Sequence, residues 1–440
     1  MSQRTKRSRV VAAAALSLAV IAPLAACSSS TDAASDAPVE LTFQTWVPNI
    51  DTAVQAFNEA HDDIHVTVEA IAAGPDGGYA KMLSAVKAGN PADVAQIGYD
   101  EIPTFLVNDA LTDISDYVGD SADLFTEWQW QTGAFNDAVY AIPQASGPVG
   151  QFYRADVFES AGLSESPATW DEYYEAAKAI RASDPNRYIT AFAANQAPWL
   201  MALAQQAGEP WFTTSDDAWN VAIDNADTLR MAEFWQKLLD EDLVKVEADM
   251  SNEWYADIQT GNISTWMSGS WAAAIVSGNA PDTSGLWRAA EMPQWVAGEH
   301  VSASWGGGSA NVVLKGSKHP KEAAEFLLWL NGTADSASTL TTIGAGWPAM
   351  SDKSEITALS DDPTTFEFFG GQNIWDTFEV SDANIASGWQ YPPLIDTLYA
   401  ALTDNVKAAV QNNTPLTGAF EKTQTDMVKA MKAKGISVNE

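Results

Sequence analysis

The chain has 440 residues, of which 46% are hydrophobic, with 28 glycines and 20 prolines. This length and composition are typical of a globular protein with two domains, and they exclude a disordered or collagen-like chain. The formal net charge of −35 disfavours nucleic acid and anionic lipid as partners, because an acidic surface repels phosphate groups. We therefore expect partners that are neutral or cationic.

The N-terminal segment has the features of an export signal. Basic residues lie between Arg4 and Arg9, and an apolar run covers residues 10–24. This run is too short and too rich in alanine for a membrane span. We therefore expect the chain to be exported.

The apolar run ends in Leu-Ala-Ala-Cys at residues 24–27, which resembles the bacterial lipobox, and Cys27 is the single cysteine of the chain. We expect residues 1–26 to be a lipoprotein signal peptide and Cys27 to carry the lipid. An ordinary secretory peptide with an incidental cysteine is the alternative. Residues 27–38 are rich in Ser, Ala and Asp, and they predict a flexible tether.

The first part of the body alternates between strand and helix patterns. The predicted strands cover residues 41–46, 64–71 and 93–97, and the predicted helices cover residues 51–60, 79–88 and 102–108. This alternation predicts a mostly parallel α/β sheet. Ligands bind beyond the carboxyl ends of such strands, which places Trp46 and residues 98–101 on one rim.

Residues 140–154 interrupt this pattern. Pro143 and Pro148 remove backbone donors, while Gly147 and Gly150 allow unusual backbone angles, so a continuous strand or helix is excluded. Apolar residues on both sides predict two short strands that leave a bend. A hinge between two domains and a surface turn inside one domain both fit this local sequence.

The remaining chain also predicts alternating elements. Thr169 and Glu172 have the spacing of a capping box, which predicts a helix that runs to about Arg181. Strands are predicted at residues 187–193, 262–268 and 312–314, and helices around residues 199–204, 227–239 and 320–330. Residues 394–434 are predicted to be largely helical, with a break near Pro415.

Several short segments carry a family resemblance when they are taken together in this order and spacing. They lie at residues 57–61, 91–94, 140–143, 153–154, 269–271, 305–308 and 318–324. Over residues 39–440, the chain resembles the extracellular solute-binding proteins of bacterial carbohydrate ABC importers, the family that includes the maltodextrin-binding proteins.

The resemblance implies a periplasmic-binding-protein-like α/β fold, with two lobes joined by a multi-crossing hinge and a ligand cleft between them. The N-terminal lobe would comprise residues 39–145 and 305–348, and the C-terminal lobe residues 146–304 and 349–440. The bend at residues 140–154 then becomes the first crossing, and the hinge is favoured over a surface turn.

The residues themselves fit a carbohydrate ligand. A sugar presents hydroxyls at its rim and C–H groups on its faces, so its receptor needs flat aromatic surfaces with a few hydrogen-bonding groups. The chain has 18 tryptophans, many of them beside predicted breaks, although each one taken singly fits core packing as well. No cluster of Arg or Lys is predicted at the rim, which disfavours a phosphorylated ligand.

The resemblance also implies particular ligand-binding positions. It places these at Trp46, Asn49, Tyr99, Asp100, Gln144, Ser146, Trp271, Trp389 and Gln390, and further candidates are Trp199, Trp254, Trp305 and Gly306. The sequence departs from the maltodextrin pattern, because Tyr99 lies on the rim and Val47-Pro48 follows Trp46. We therefore expect a ligand that can differ from a maltodextrin.

Catalytic and metal sites are disfavoured. None of the four histidines accompanies a nucleophile motif. His61 and His65 have the spacing of a zinc-binding helix, but residues 64–68 predict a strand, on which that geometry is lost. A secreted glycoside hydrolase, which needs two carboxylates across a sugar cleft, is the main alternative.

We expect a binding protein without enzymatic activity, cofactor or metal. It would capture a neutral oligosaccharide or sugar by lobe closure and deliver it to the permease subunits of an ABC transporter. We expect a monomer at the cell surface, held at the outer face of the cytoplasmic membrane only by its lipid. A surface lipoprotein without a small-molecule ligand is the other alternative.

Overall fold

The computed structural model describes residues 37–74, 77–135, 138–215 and 218–439. Its strands are β1 (Val39–Thr45), β2 (Ile64–Ala70), β3 (Val94–Gly98), β4 (Ala134–Phe135), β5 (Ala138–Val139), β6 (Ala141–Ala145), β7 (Val149–Arg154), β8 (Tyr188–Phe192), β9 (Phe212–Ser215), β10 (Ala218–Val221), β11 (Lys245–Val246), β12 (Ile263–Gly269), β13 (Trp287–Ala290) and β14 (Ser309–Val313).

The helices of the described part of the chain are α1 (Asp51–Ala60), α2 (Gly78–Ala88), α3 (Ile102–Val107), α4 (Ser115–Val118), α5 (Glu127–Thr132), α6 (Ala155–Ser160), α7 (Trp170–Ser183), α8 (Ala197–Ala207), α9 (Ala226–Asp240), α10 (Asn252–Thr260), α11 (Ala272–Asn279), α12 (Pro320–Gly332), α13 (Ala334–Thr342), α14 (Pro363–Phe368), α15 (Trp375–Ala383), α16 (Ile395–Asn412) and α17 (Leu416–Ala433).

The N-terminal lobe is built on a sheet with the strand order β2-β1-β3-β14-β6. Strand β1 pairs in parallel with β2 and β3, whereas β14 is antiparallel to both of its neighbours. Helices α1 and α12 cover one face, where Phe326 meets Phe43 and Phe57 at ring distances of 5.5 and 5.0 Å. The predicted, mostly parallel sheet is therefore confirmed, with β14 as its reversed strand.

The C-terminal lobe is built on a second sheet, with the order β11-β8-β12-β7-β13. Strands β11, β8 and β12 are parallel, and β7 is antiparallel to both neighbours. Helices α7, α8 and α9 bury a group of aromatic rings against this sheet, among which Trp235 lies 4.9 Å from Trp199 and 6.0 Å from Trp170. Helices α16 and α17 pack on the same core.

The chain passes between the two sheets at neighbouring positions. Residues 146–148 connect β6 of the first sheet to β7 of the second, and Pro148 pairs with Ser304 on the segment that returns to β14. A third segment runs alongside, because Pro348 pairs with Ala145 and Trp347 O accepts from Ser146 N at 3.1 Å. These connections give the two-lobed α/β architecture that the resemblance implies.

Most local predictions are confirmed where the sequence signal is strong. The capping box at the start of α7 is present, because Glu172 N donates to Thr169 Oγ1 at 3.2 Å and Thr169 N donates to Glu172 Oε2 at 3.2 Å. Such a cap stabilises a helix by about 1 kcal/mol. Pro320 occupies the first turn of α12, and Pro415 separates α16 from α17.

The structure gives more exact positions for one predicted strand and for two histidines. Strand β14 begins at Ser309, before the predicted start, because the polar Asn311 is accommodated in the interior by a hydrogen bond of 2.8 Å from Asn331. His61 follows the end of α1 and His65 lies within β2, so the two rings belong to different elements. In the described ranges, no helix combines the length and apolar character that a membrane crossing requires.

Candidate ligand-binding cleft

The carboxyl ends of the parallel strands in both sheets lie next to the chain crossings. Gly98 at the end of β3 pairs with Ser309, directly after the second crossing, and Gly269 at the end of β12 pairs with Val149, directly after the first. Ligands bind beyond this edge in open α/β sheets. The two edges therefore bound one cleft, and the crossings form its floor.

The N-terminal side of the cleft carries Trp46, Tyr99 and Asp100. Trp46 is half-buried, and its ring meets that of Tyr79 at 5.9 Å and 81°. Tyr99 is fully buried beside Trp128, and burial raises the pKa of its hydroxyl well above the ordinary value. The predicted rim position of Trp46 and residues 98–101 is therefore supported by the fold.

Asp100 and Glu101 are buried carboxyls, 6% and 1% exposed. Burial raises the pKa of Asp100 to about 7, against the opposing effect of a hydrogen bond from Tyr399. Burial, followed by the charges of Asp100 and Asp396, raises the pKa of Glu101 well above its ordinary value. Low dielectric and nearby like charges both disfavour the ionised form.

The floor of the cleft contains Gln144, Ser146 and Gly306. Gln144 Oε1 accepts from Ser309 Oγ at 3.1 Å, while its Nε2 has no hydrogen-bond acceptor within the described part of the chain. The Ser146 hydroxyl donates to Asp382 at 2.5 Å, which occupies it in a contact between the first crossing and α15. Gly306 has φ +58°, and a Cβ there would lie 3.0 Å from Asp100 Oδ2.

The C-terminal side of the cleft carries Trp271, two residues after the end of β12. Its half-buried ring lies 5.7 Å from Trp266 and 5.5 Å from Trp305, nearly perpendicular to both, at 83° and 85°. Gly269 makes this placement possible, because a Cβ there would lie 2.4 Å from Trp271 Nε1. The structure thus brings together two of the predicted aromatic residues, Trp271 and Trp305.

Three polar residues that the sequence analysis missed share this edge. Asn195 and Gln196 follow β8, and Asp249 follows β11, just as Trp271 follows β12. Asp249 is 6% exposed, and burial raises its pKa to about 6. No described residue donates to Asp249 Oδ1 or to Asn195 Oδ1, which leaves two buried acceptors for a ligand.

The signal for these residues was partly present in the sequence. The predicted strand at 187–193 ends just before Asn195, so its carboxyl end could have indicated that residue. Strand β11 has only 2 residues, and so short a run carries no recognisable alternation. Asp249 could therefore be assigned to the cleft only from the structure.

The other predicted residues have different surroundings. Trp199 and Trp254 are buried in the interior of the C-terminal lobe, against Trp235 and Trp266 respectively, where packing accounts for them. Trp389 packs against Trp211 at 5.8 Å. Asn49 and Gln390 are exposed, and Cys27 lies outside the described residues.

The ionisable groups at the cleft are mainly carboxyls. Carboxyls are contributed by Asp100, Glu101, Asp249 and Asp382, and an amine by Lys353, whose Nζ lies 3.9 Å from Asp382. Burial lowers the pKa of Lys353. Within the described ranges, no group of three or more His, Cys, Asp or Glu residues is arranged to hold a metal ion.

Two α/β lobes that bound a polar and aromatic cleft at their chain crossings define the class of two-lobed binding proteins. The chain belongs to the family of bacterial extracellular solute-binding proteins, whose family model matches residues 42–337. The family predicted from the sequence is therefore confirmed.

Curated relatives match along most of their length. The chain is 25% identical over 392 residues to the arabinooligosaccharide-binding protein of Halalkalibacterium halodurans, covering 86% of each chain. It is 26% identical over 311 residues to the lactose-binding protein of Rhizobium radiobacter, covering 70% of this chain and 68% of the relative.

Solved structures give the same fold. The ABC-transporter-associated binding protein of B. animalis subsp. lactis, in complex with β-1,6-galactobiose, has a TM-score of 0.83 at 27% identity, covering 92% of this chain and 100% of that one. The galacto-N-biose/lacto-N-biose I-binding protein of Bifidobacterium longum, in complex with lacto-N-biose, also has a TM-score of 0.83 at 27% identity, covering 92% and 99%. The predicted periplasmic-binding-protein-like fold is confirmed.

Proposed function

We propose that this protein is the substrate-binding component of an ABC importer and captures a neutral oligosaccharide in the cleft between its lobes. The observation that carries the proposal is the juxtaposition, at the carboxyl edge of one sheet, of the Trp271 ring with the open acceptors of Asn195 and Asp249. A flat ring suits the C–H face of a sugar, and the acceptors suit its hydroxyls. The ligands named for the relatives and structural neighbours support a short oligosaccharide.

The proposed ligand-binding set extends to residues of the N-terminal lobe and the floor. It includes Trp46, Tyr99, Asp100, Gln144, Trp305 and Gly306, together with the less central Asn49, Ser146, Trp389 and Gln390. The carboxyls of Asp249 and Asp382 disfavour uronic-acid and phosphorylated sugars, because each of them, when ionised, would repel an anionic ligand at short range. The N-terminal lobe is proposed to comprise residues 39–145 and 305–348, and the C-terminal lobe residues 146–304 and 349–440.

Binding is coupled to closure in this proposal. A sugar that touches both lobes stabilises the closed arrangement by the difference between its affinities for the closed and open forms. The closed complex then delivers the sugar to the permease subunits. A lipid on Cys27 would hold the protein at the outer face of the cytoplasmic membrane as a monomer.

The proposal is tested by a thermal-shift screen followed by calorimetry. The screen contains β-1,6-galactobiose, lacto-N-biose, lactose, arabinooligosaccharides and maltodextrins, with glucuronic-acid-containing disaccharides as the charged control. A ligand at about 100 times its Kd stabilises the folded state by about 2.7 kcal/mol, which gives a clear rise in melting temperature. Stabilisation by a neutral glycan but not by the uronates is the expected result.

Two outcomes would contradict the proposal. No melting shift across the neutral glycans would favour a surface protein without a small-molecule ligand. Release of new reducing ends from a bound glycan would instead show a glycoside hydrolase, so each binding glycan is also incubated with the protein and assayed for reducing ends.

A further inference from the structure

Met250, the residue after Asp249 at the cleft, has a left-handed backbone with φ +56°. In the described part of the chain, the residues other than glycine with such a backbone are Asn49, Asp109, Asp242, Met250 and Asn413. Asn and Asp adopt this conformation at little cost, because their short polar side chains can hydrogen-bond to the local backbone. Methionine has no such compensation, so Met250 is the strained member of this group.

Two secondary-structure elements impose this conformation on Met250. Strand β11 ends shortly before it, where Val246 pairs with Phe192 of β8. Ser251, the next residue, is the N-cap of α10, and its Oγ accepts from Trp254 N at 3.1 Å. The chain must therefore turn at Met250 from the edge of the sheet into α10. A strained backbone persists where the surrounding structure determines it in this way.

The turn comes directly after the buried carboxyl of Asp249. Val246 and Phe192 are paired in parallel, so Asp249 and Asn195, which follow them at equal distances along the chain, reach the carboxyl edge of the sheet at the same level. Asp249 is only 6% exposed, and no described residue donates to its Oδ1. A carboxyl without donors is more stable in water, so the chain around Asp249 has to keep it buried.

The side chain of Met250 anchors the turn. It is half-buried and packs against the aromatic core cluster that includes Trp254 and Trp266 and that also supports Trp271. A flexible thioether fits irregular gaps and makes favourable contacts with aromatic rings. Glycine at this position would relieve the backbone strain, but it could not make these contacts. Methionine thus fixes the turn next to Asp249 although the backbone is strained.

We propose that the left-handed turn at Met250 is a positioning device, which keeps the Asp249 carboxyl buried at the cleft with its open acceptor available to a donor of the ligand. Met250 is a positioning residue, since it acts through Asp249. The inference deepens the proposed function and rests on it in one respect, namely that the donor belongs to a bound glycan.

The strain is tested first, without ligand, by the melting temperatures of Met250→Ala and Met250→Gly in the full chain. Both variants lack the thioether, but alanine keeps the left-handed strain and glycine relieves it. The glycine variant should therefore melt about 1 °C above the alanine variant. At a position with an ordinary φ the order is reversed, because glycine makes the unfolded chain more flexible.

The link to Asp249 is tested by adding Asp249→Asn to both variants. This substitution removes a buried charge, so it should raise the melting temperature of Met250→Ala. The rise should be smaller in Met250→Gly, where the more flexible turn already lets the carboxyl reach water. Non-additive effects of this kind show that two residues act together.

Calorimetric titration then measures the effect on binding. The probe is β-1,6-galactobiose or, if another neutral glycan of the thermal-shift screen binds more tightly, that glycan. Met250→Gly should bind the probe about threefold more weakly than Met250→Ala, although it melts at a higher temperature, because its freer backbone must be ordered when the ligand binds. With Asp249→Asn in both variants, the two affinities should become equal.

Asn413 provides the matched control. It also has a left-handed backbone, with φ +53°, and it is exposed at the C-terminal end of α16 in the same lobe. Asn413→Gly should melt above Asn413→Ala, because glycine is favoured at such a helix end. These two variants should have equal glycan affinities, and Asp249→Asn should change their melting temperatures equally.

Three results would overturn the inference: a Met250→Gly variant that melts below Met250→Ala, an equal effect of Asp249→Asn on the melting temperatures of both Met250 variants, or equal affinities of these variants for a bound glycan. The first two measurements need no glycan, so they distinguish this inference from the proposed function. If they give the expected results but no glycan binds, the proposed function fails, and the positioning of Asp249 by Met250 stands.

Discussion

Replacing Trp271 by alanine removes the aromatic surface on which the proposed sugar site depends. The ring is half-buried, and its two aromatic neighbours, Trp266 and Trp305, meet it nearly at right angles. Loss of one aromatic platform is expected to weaken binding by more than about tenfold, which corresponds to about 1.4 kcal/mol. The contacts to the neighbouring rings are lost as well, at about 0.5–1.5 kcal/mol each, so a lower melting temperature is also expected.

Calorimetric titration measures the change, with whichever neutral glycan raises the melting temperature of the parent protein. Trp271→Phe keeps a flat ring and should lose less affinity than the alanine variant. Trp219→Ala is the control for general destabilisation, because Trp219 is also half-buried and meets Phe212 at 6.3 Å, in the β9–β10 hairpin of the same lobe. Unchanged affinity of Trp271→Ala would refute the placement of the sugar on this ring.

Three further substitutions test separate parts of the argument. Gly269→Ala places a Cβ where the Trp271 indole lies, only 2.4 Å from its Nε1. The ring must therefore move, and the glycan affinity should fall. Calorimetric titration measures the affinity, and an unchanged circular-dichroism spectrum shows that the variant is folded. Asp249→Asn should weaken glycan binding roughly tenfold, because hydrogen bonds to charged groups are the stronger ones. The melting temperature of this variant should not fall, because the substitution removes a buried charge. If the variant keeps the full glycan affinity of the parent protein, Asp249 is not part of the site. Cys27→Ser should release the protein from membranes, and its retention in the membrane fraction would contradict lipid anchoring.

The local architecture of this protein was readable in its sequence. Helix α1 was predicted with its observed bounds, and the capping box of α7 and the proline at the start of α12 gave their helices definite beginnings. These features depend on residues within a few positions of one another. The interactions that stabilise these helix ends are therefore local and do not depend on the packing of the lobes.

The binding cleft was only partly predictable for the opposite reason. Trp271 and Trp305 were both predicted as ligand-binding candidates, but their contact at 5.5 Å depends on how β12 and the second crossing are arranged. Trp199 and Trp254 have the same side chain and also lie near predicted breaks, yet the structure buries them in the lobe interior. Sequence pattern does not distinguish a ring that lines a cleft from one that fills a core.

The sequence by itself determined the alternation of strands and helices and the acidic character, and it predicts an export signal, because each is a property of composition or of neighbouring residues. Only the tertiary structure decided that β14 enters the first sheet in reverse, that Asp249 shares an edge with Trp271, and that Asp100 meets Tyr399. These contacts join residues far apart in the chain. They exist only because the packing of two separate cores brings the carboxyl ends of both sheets to one cleft.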